Sequence, residues 1–205
     1  MLIRHGHTAA NDGGLHLPLL GWTDVPLSRL GRIQVEQLCR RLRRRMPFAA
    51  IYASPLARAV DTARPLEESG LGPLRLDPAL REINCGNVDG LPIGDLQRRF
   101  SELWRDNCLQ TREDFRWPGG ESYREFRDRC VGAIRRIAAT HPGAQVAIVT
   151  HAGVISQLIG SLCGLSAAAW EPFRPGNASI SELDWRGSRG SIVLFDCRAH
   201  LDQAA

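Results

Sequence analysis

Three places in the sequence join a short apolar run to side chains that can do chemistry. Arg4-His5 follows Met1 to Ile3, Ser54 to Arg58 follows Phe48 to Ala53, and Thr150-His151 follows Gln145 to Val149. Short apolar runs bounded by turn residues predict buried strands. In open parallel sheets, ligands bind beyond the carboxyl ends of the strands. Two histidines and two arginines are therefore expected at one point. Two guanidiniums can grip a phosphoryl group through paired hydrogen bonds. A neutral imidazole can attack phosphorus, and a second histidine can donate to the phosphoryl oxygens as charge develops. Arg58 strengthens the reading. Ser54-Pro55 predicts a helix start, with serine as N-cap and proline at the first position. Arg58 then falls in the first turn, where a cation opposes the positive end of the helix dipole. An anion shared between them removes the conflict.

The elements that position these residues follow from spacing. Ser28 to Met46 predicts a helix capped by Ser28, with Leu30, Ile33, Leu38 and Leu42 on its apolar face. Leu56, Ala59, Val60 and Ala63 give the next helix one apolar side. Leu74 to Leu76 predicts a short strand. Ile83 to Trp117 is rich in Gly, Asn and Trp and predicts a flap with a short helix over Ile93 to Trp104. Ser122-x-x-Glu125 is a capping box opening a helix that carries Tyr123, Phe126, Cys130, Ile134 and Ile137. Val154 to Cys163 predicts a helix. Ser179 to Trp185 and Ser191 to Cys197 predict two closing strands joined by residues 186–190. Alternating strands and helices imply an α/β fold. The expectation is a three-layer sandwich with a mostly parallel central sheet flanked by helices and an antiparallel edge strand. It forms a single domain over residues 1–205, with the flap-like insertion around 83–118.

The motifs resemble those of the histidine phosphatase superfamily, the phosphoglycerate-mutase-like family. Leu2-Ile3-Arg4-His5-Gly6-His7-Thr8-Ala9-Ala10-Asn11 is similar to its opening signature. Gly21-x-x-Asp24-x-Pro26-Leu27-Ser28-x-x-Gly31 resembles its second motif, and Ser54-Pro55-Leu56-Ala57-Arg58-Ala59-x-x-Thr62-Ala63 its third. Leu80-Arg81-Glu82-Ile83-x-x-Gly86-x-x-Asp89-Gly90 resembles the acid-bearing loop. Pro118-Gly119-Gly120-Glu121-Ser122 and Val149-Thr150-His151-Ala152-Gly153-Val154 complete an ordered set spanning nearly the whole chain. The resemblance implies that His5 is the nucleophile and that Arg4, Arg58 and His151 hold the phosphoryl oxygens. It implies that Glu82 gives a proton to the leaving alcohol and then takes one from water. Asn11 and the backbone after His151, at Ala152, would complete the phosphate pocket. It further implies a metal-independent phosphomonoester hydrolase, nearest to small bacterial phosphatases such as α-ribazole phosphatase. Chemistry of this kind needs His5 neutral, with one ring nitrogen free and the other donating to a backbone carbonyl.

Some positions depart from the pattern or stay open. His7 stands where the family more often has Glu or Gln, and reads as a rim residue or a substrate contact. Glu121 reads equally as a pocket residue or a helix N-terminal acid. The five tryptophans read as packing or flap residues, with Trp104 and Trp117 as candidates for the substrate mouth.

Composition removes other classes. The chain has 205 residues, 43% hydrophobic and 23% charged, with a net charge of +4. All 26 basic residues are arginine, which excludes Schiff-base chemistry and a P-loop lysine. The arginine run at 40–45 reads as a solvated helix end. The six cysteines form no C-x-x-C pair and read as reduced core residues. A leader peptide and a membrane span are not expected, and a cytoplasmic location is. The expected partner is a small phosphorylated metabolite, with no nucleic acid, no membrane, no cofactor and no metal, and with a homodimer left open. Three alternatives stand beside hydrolysis. A cofactor-dependent phosphoglycerate mutase usually carries Glu-Arg-His-Tyr-Gly at the acid loop, where this chain has Glu82-Ile83-Asn84-Cys85-Gly86. A metal site on His5 and His7 has only two ligands. A non-catalytic phospho-ligand module would not need the full set of reactive residues.

Overall fold

The structure, a computed structural model, describes residues 1–201 apart from Met46 and Ser188. Six strands form one sheet in the order β3-β2-β4-β1-β5-β6. They are β1 (Leu2–Arg4), β2 (Ala50–Ala53), β3 (Leu74–Leu76), β4 (Val146–Thr150), β5 (Ile180–Arg186) and β6 (Arg189–Cys197). The first four run parallel, while β5 pairs antiparallel with β1 and β6 antiparallel with β5. This is the expected α/β sandwich with a mostly parallel sheet and an antiparallel edge.

Alternation along the strands builds both cores. Ile3, Ile51, Ala147 and Val149 face one side, where α1 (Arg29–Leu42) and α2 (Ala57–Glu68) cover them. Leu2 and Ile148 face the other, under α5 (Tyr123–Thr140) and α6 (Ala152–Leu162). A third cluster, built on Cys85, Leu96, Phe115, Trp117 and Tyr123, lies beyond the strand ends. It is roofed by α3 (Ile93–Arg99) and α4 (Ser101–Leu109). Those two helices replace the single one expected over Ile93 to Trp104. Phe100, at φ −131° and ψ 43°, breaks them apart.

Two other helix expectations are corrected. Ser28 does cap α1, its hydroxyl accepting from the Gly31 N–H. Yet Leu30 and Ile33 are 49% and 42% exposed, and Gly31, Val35 and Cys39 join Leu38 and Leu42 on the buried face. The phase is set by Gly31, where a Cβ would lie 2.1 Å from the His7 carbonyl oxygen. The helix ends at Leu42, short of the expected Met46, which itself lies outside the described residues. The second helix starts at Ala57, not Ser54. Its first amide is capped from a distance, since the Ala57 N–H donates to Asp24 Oδ1 at 2.6 Å. The closing hairpin is tighter than expected, with strands running to Arg186 and from Arg189. Gly187 turns at φ 59°, and Ser188 lies outside the described residues.

Close approach at Gly31 makes a testable difference between two helical glycines. Gly31→Ala should destabilise the protein by about 1–3 kcal/mol through overpacking. Gly132, in the middle of α5, has nothing within 4 Å of an added Cβ. Gly132→Ala should therefore stabilise by about 0.5–1 kcal/mol. Urea unfolding of both variants measures the two signs, and a neutral Gly31→Ala would show that α1 is not held there.

Candidate active site

The sheet ladder continues one residue past the ends of its central strands. The His5 N–H donates to the Thr150 carbonyl at 2.9 Å, and the Ser54 N–H to the Val149 carbonyl at 3.0 Å. Arg4 is opposite Thr150 and Ala53 opposite Val149, so His5, Ser54 and His151 emerge side by side. Thr150 Oγ1 donates to the Leu80 carbonyl at 2.7 Å and fixes the segment leading to Glu82 against β4. Arg4, His5, Asn11, Arg58, Glu82 and Ala152 all border one cavity of about 440 Å³. His151 does not border it. Its ring is wholly buried beside that of His5, with centroids 5.2 Å apart.

Each guanidinium is buried and bonded to carbonyl oxygens. Arg4 donates to the Pro175 carbonyl at 2.7 Å. Arg58 donates to the carbonyls of Thr23 at 3.0 Å and Gly21 at 2.8 Å. The loop holding Arg58 is fixed in turn by Asp89, whose carboxylate accepts from the amides of Gly21, Trp22 and Thr23. A Cβ on Gly21 would sit 2.3 Å from the Ile83 carbonyl, so only glycine allows this approach. Carbonyl partners leave each positive charge unneutralised. Burial, with Arg174 nearby, lowers the Arg4 pKa to about 10, so it stays a cation at neutral pH.

The same burial and charge act on the imidazoles. Burial, then Arg4, then Arg58, holds His5 well below the ordinary histidine range. Burial, then Arg58, then His5, does the same to His151. Both rings are therefore neutral. His5 Nδ1 lies 2.7 Å from the Gly6 carbonyl, which can only accept, so Nδ1 carries the proton and Nε2 keeps its lone pair. His151 Nε2 lies 2.7 Å from Ser54 Oγ, while its buried Nδ1 has no partner. Arg4 Nε is buried and unpartnered too. Such groups carry a desolvation cost that an arriving acceptor removes.

Glu82 is partly buried and doubly oriented. Its Oε1 accepts from the Ile83 N–H and its Oε2 from the Gly153 N–H, both at 3.0 Å. A Cβ on Gly153 would fall 2.2 Å from Oε1. Asn11 Oδ1 accepts from the Thr8 amide and hydroxyl and from Asn177, which leaves Nδ2 as its donor. Ala152 opens α6, where first-turn amides have no partner within the helix.

The open assignments resolve. His7 turns away from the cavity, with Nδ1 2.9 Å from Ser28 Oγ and Nε2 3.1 Å from Asp12. Glu121 pairs with Arg129 and accepts from the Asn84 N–H, which makes it a strut of the acid loop. Trp104 and Trp117 both border the cavity.

Four contributors escaped sequence reading. Arg129 donates to the carbonyls of Ala79, Arg81 and Glu82 and so clamps the acid loop. Its signal was a charge inside the apolar stripe between Phe126 and Cys130. Trp22 donates its indole N–H to the Glu82 carbonyl at 2.8 Å. Asn177 donates to the carbonyls of His5 and Gly6, and only a Pro-Gly-Asn turn signal marked it. Ser54 looked like a helix cap and is instead the partner of His151. Among the described residues, no three His, Cys, Asp or Glu side chains group as a metal site. No helix among them is long and apolar enough to cross a membrane.

Comparison with known proteins follows the same lines. The model for the histidine phosphatase superfamily (branch 1) matches residues 1–198. A curated relative from Enterobacter sp. (strain 638), "Probable phosphoglycerate mutase GpmB", is 31% identical over 100% of this chain and 95% of its own. Among solved structures, the α-ribazole phosphatase from Shigella flexneri is similar at TM-score 0.83 and 28% identity, covering 96% of this chain and 95% of that one. A mycobacterial glucosyl-3-phosphoglycerate phosphatase is similar at TM-score 0.80 and 27% identity, covering 95% and 96%. The chain belongs to the histidine phosphatase superfamily.

Neutral buried histidines set the direction of a pH effect. The unfolded chain protonates His5 and His151 near pH 6.5, while the folded protein does not until lower pH. Between those limits the unfolded state binds more protons, so stability falls as pH falls below about 6.5. The slope should approach ~1.4 kcal/mol per pH unit for each histidine. Urea unfolding at pH 7.0, 6.0 and 5.5 measures it, and His5→Asn should remove about half of the two-histidine slope. A flat profile would mean the rings are already charged in the folded protein.

Proposed function

We propose that this superfamily member hydrolyses phosphomonoesters through a phosphohistidine on His5, without a metal. The observation that carries the reading is the state of His5: neutral, with Nδ1 donating to the Gly6 carbonyl and Nε2 bearing a lone pair, between two buried cations. In the first step Nε2 attacks phosphorus. A P–N bond forms, the ester P–O bond breaks, and the leaving alkoxide takes a proton from the Glu82 carboxyl. In the second step Glu82, now a carboxylate, takes a proton from water. The water oxygen attacks phosphorus, the P–N bond breaks, and inorganic phosphate leaves with His5 restored. Arg4 and Arg58 supply the positive charge for the equatorial oxygens, with Asn11 Nδ2 and the Ala152 amide as further donors.

His151 acts as a neutral donor in this scheme. With the Ser54 Oγ–H as donor to Nε2, the remaining ring proton sits on Nδ1, the unpartnered nitrogen. Water exclusion strengthens each of these contacts.

A phosphoglycerate mutase is the second reading, favoured by the printed name of the curated relative. A mutase must keep water from the intermediate and bind a substrate carboxylate with cations. The acid loop here offers Ile83, Asn84 and Cys85 after Glu82, none of them cationic.

Two experiments test the proposal. Brief incubation with a 32P-labelled phosphomonoester, rapid quenching and peptide mapping should place the label on His5, with or without prior exhaustive chelation. Label on His151, or turnover abolished by chelation and restored by one metal, would overturn it. Separately, Glu82→Gln should slow alkyl phosphate hydrolysis by roughly 10²–10⁴-fold, and aryl phosphate hydrolysis less, because an aryl leaving group needs less protonation. Equal losses on both would remove Glu82 from the proton-donor role, and mutase turnover above hydrolysis would favour the second reading.

A further inference from the structure

The cavity has two unlike ends. Arg4, His5 and Arg58 make one end polar and cationic. The wall beyond them is mostly apolar, with Leu19, Ile83, Trp104, Phe126 and Trp170, interrupted by Asn107, Gln110 and Glu171. Trp104 and Trp170 are only partly buried, so their rings keep surface to offer. Behind them, Trp117 and Tyr123 are 3% and 2% exposed and pack edge-on or tilted around Phe115. The Tyr123 hydroxyl donates to Asn107 Oδ1 at 2.7 Å and ties that cluster to α4.

This wall is already formed. Leu19 and Ile93 donate backbone N–H groups to Leu91 and Leu17, and Gly94 donates to Leu15, zipping residues 15–19 to residues 91–94. An apolar wall built before the ligand arrives loses little entropy on binding. Charge is scarce at this end. Among the described residues bordering the cavity, the one cation beyond Arg4 and Arg58 is Arg174. It is 53% exposed and lies 3.6 Å from the Glu171 carboxylate. A second anionic group on a substrate would meet that solvent-screened guanidinium together with the Glu171 charge beside it.

From this division we infer that the substrates are phosphomonoesters of bulky, flat, uncharged alcohols, whose apolar body lies against Trp104 and Trp170. The inference rests on the hydrolase reading above and narrows it. A volume of about 440 Å³ admits a one- or two-ring group beside the phosphoryl site. Small carboxylated phosphates leave the aromatic wall wet and bring a charge it does not match.

The test uses the purified chain and four phosphates: propyl, 2-phenylethyl, 2-(2-naphthyl)ethyl and 3-phosphoglycerate. The first three are primary alkyl esters, so their leaving groups are alike and only the distal group differs. The values of kcat/KM should rise from propyl to naphthylethyl by roughly 10- to 100-fold, mostly through KM, with 3-phosphoglycerate lowest. Trp104→Ala should compress the naphthylethyl-to-propyl ratio about tenfold, and Trp104→Phe should restore most of it. Equal efficiencies across the alkyl series, a preference for 3-phosphoglycerate, or an unchanged ratio in Trp104→Ala would overturn the substrate class and leave hydrolysis standing. No turnover of any ester and no label on His5 would defeat the hydrolase reading, and this inference with it.

Discussion

The guanidiniums of Arg4 and Arg58 lie almost wholly out of water, with peptide carbonyls in place of carboxylates as their hydrogen-bond partners. Taking a charge out of water without an opposite charge costs several kcal/mol. The carbonyl dipoles offset part of that cost and leave the rest to be relieved by an anion. Burial first, and then the same two charges, keep His5 and His151 neutral. A carboxylate in salt-bridge contact with each arginine would have quieted the field and left burial alone to hold the rings neutral.

Much of the remaining structure keeps those carbonyls in place. Asp89 gathers three amides of the loop that faces Arg58, and Gly21 lets that loop press against the acid loop. Asn177 ties the turn before β5 to the loop after β1. Arg129 on α5 and Glu121 just before it brace the acid loop, as an ion pair whose guanidinium also binds three carbonyls. Ordering of this kind is the physical form of preorganisation: the donors are set before charge develops on the ligand.

The sequence made the strand ends legible because short apolar runs and the reactive residues after them are local signals. His5, His151, Arg4 and Arg58 were readable from that pattern, and Glu82, Asn11 and Ala152 from resemblance. What it hid were contacts between distant segments. Ser54 looked like a helix cap because Ser-Pro is a strong local start signal, yet Asp24 caps α2 from 33 residues away. Leu30 and Ile33 looked buried because apolar residues dominate the face choice, and the small Gly31 that marks the true buried face carries no apolar signal. Backbone contact between Gly31 and His7 set the phase of α1. The one helix expected over the flap became two at Phe100, where tertiary packing overrides helix propensity.

The central claim concerns the protonation of one ring, and nitrogen-15 NMR of histidine-labelled protein reads it directly. With the His5 signals assigned by a His5→Asn variant, the account predicts a neutral ring at pH 6.0, protonated on Nδ1 and bare on Nε2. Vanadate, as a mimic of five-coordinate phosphorus, should perturb the Nε2 signal above all. An imidazolium at pH 6.0, or a proton on Nε2 in the free protein, would contradict the account.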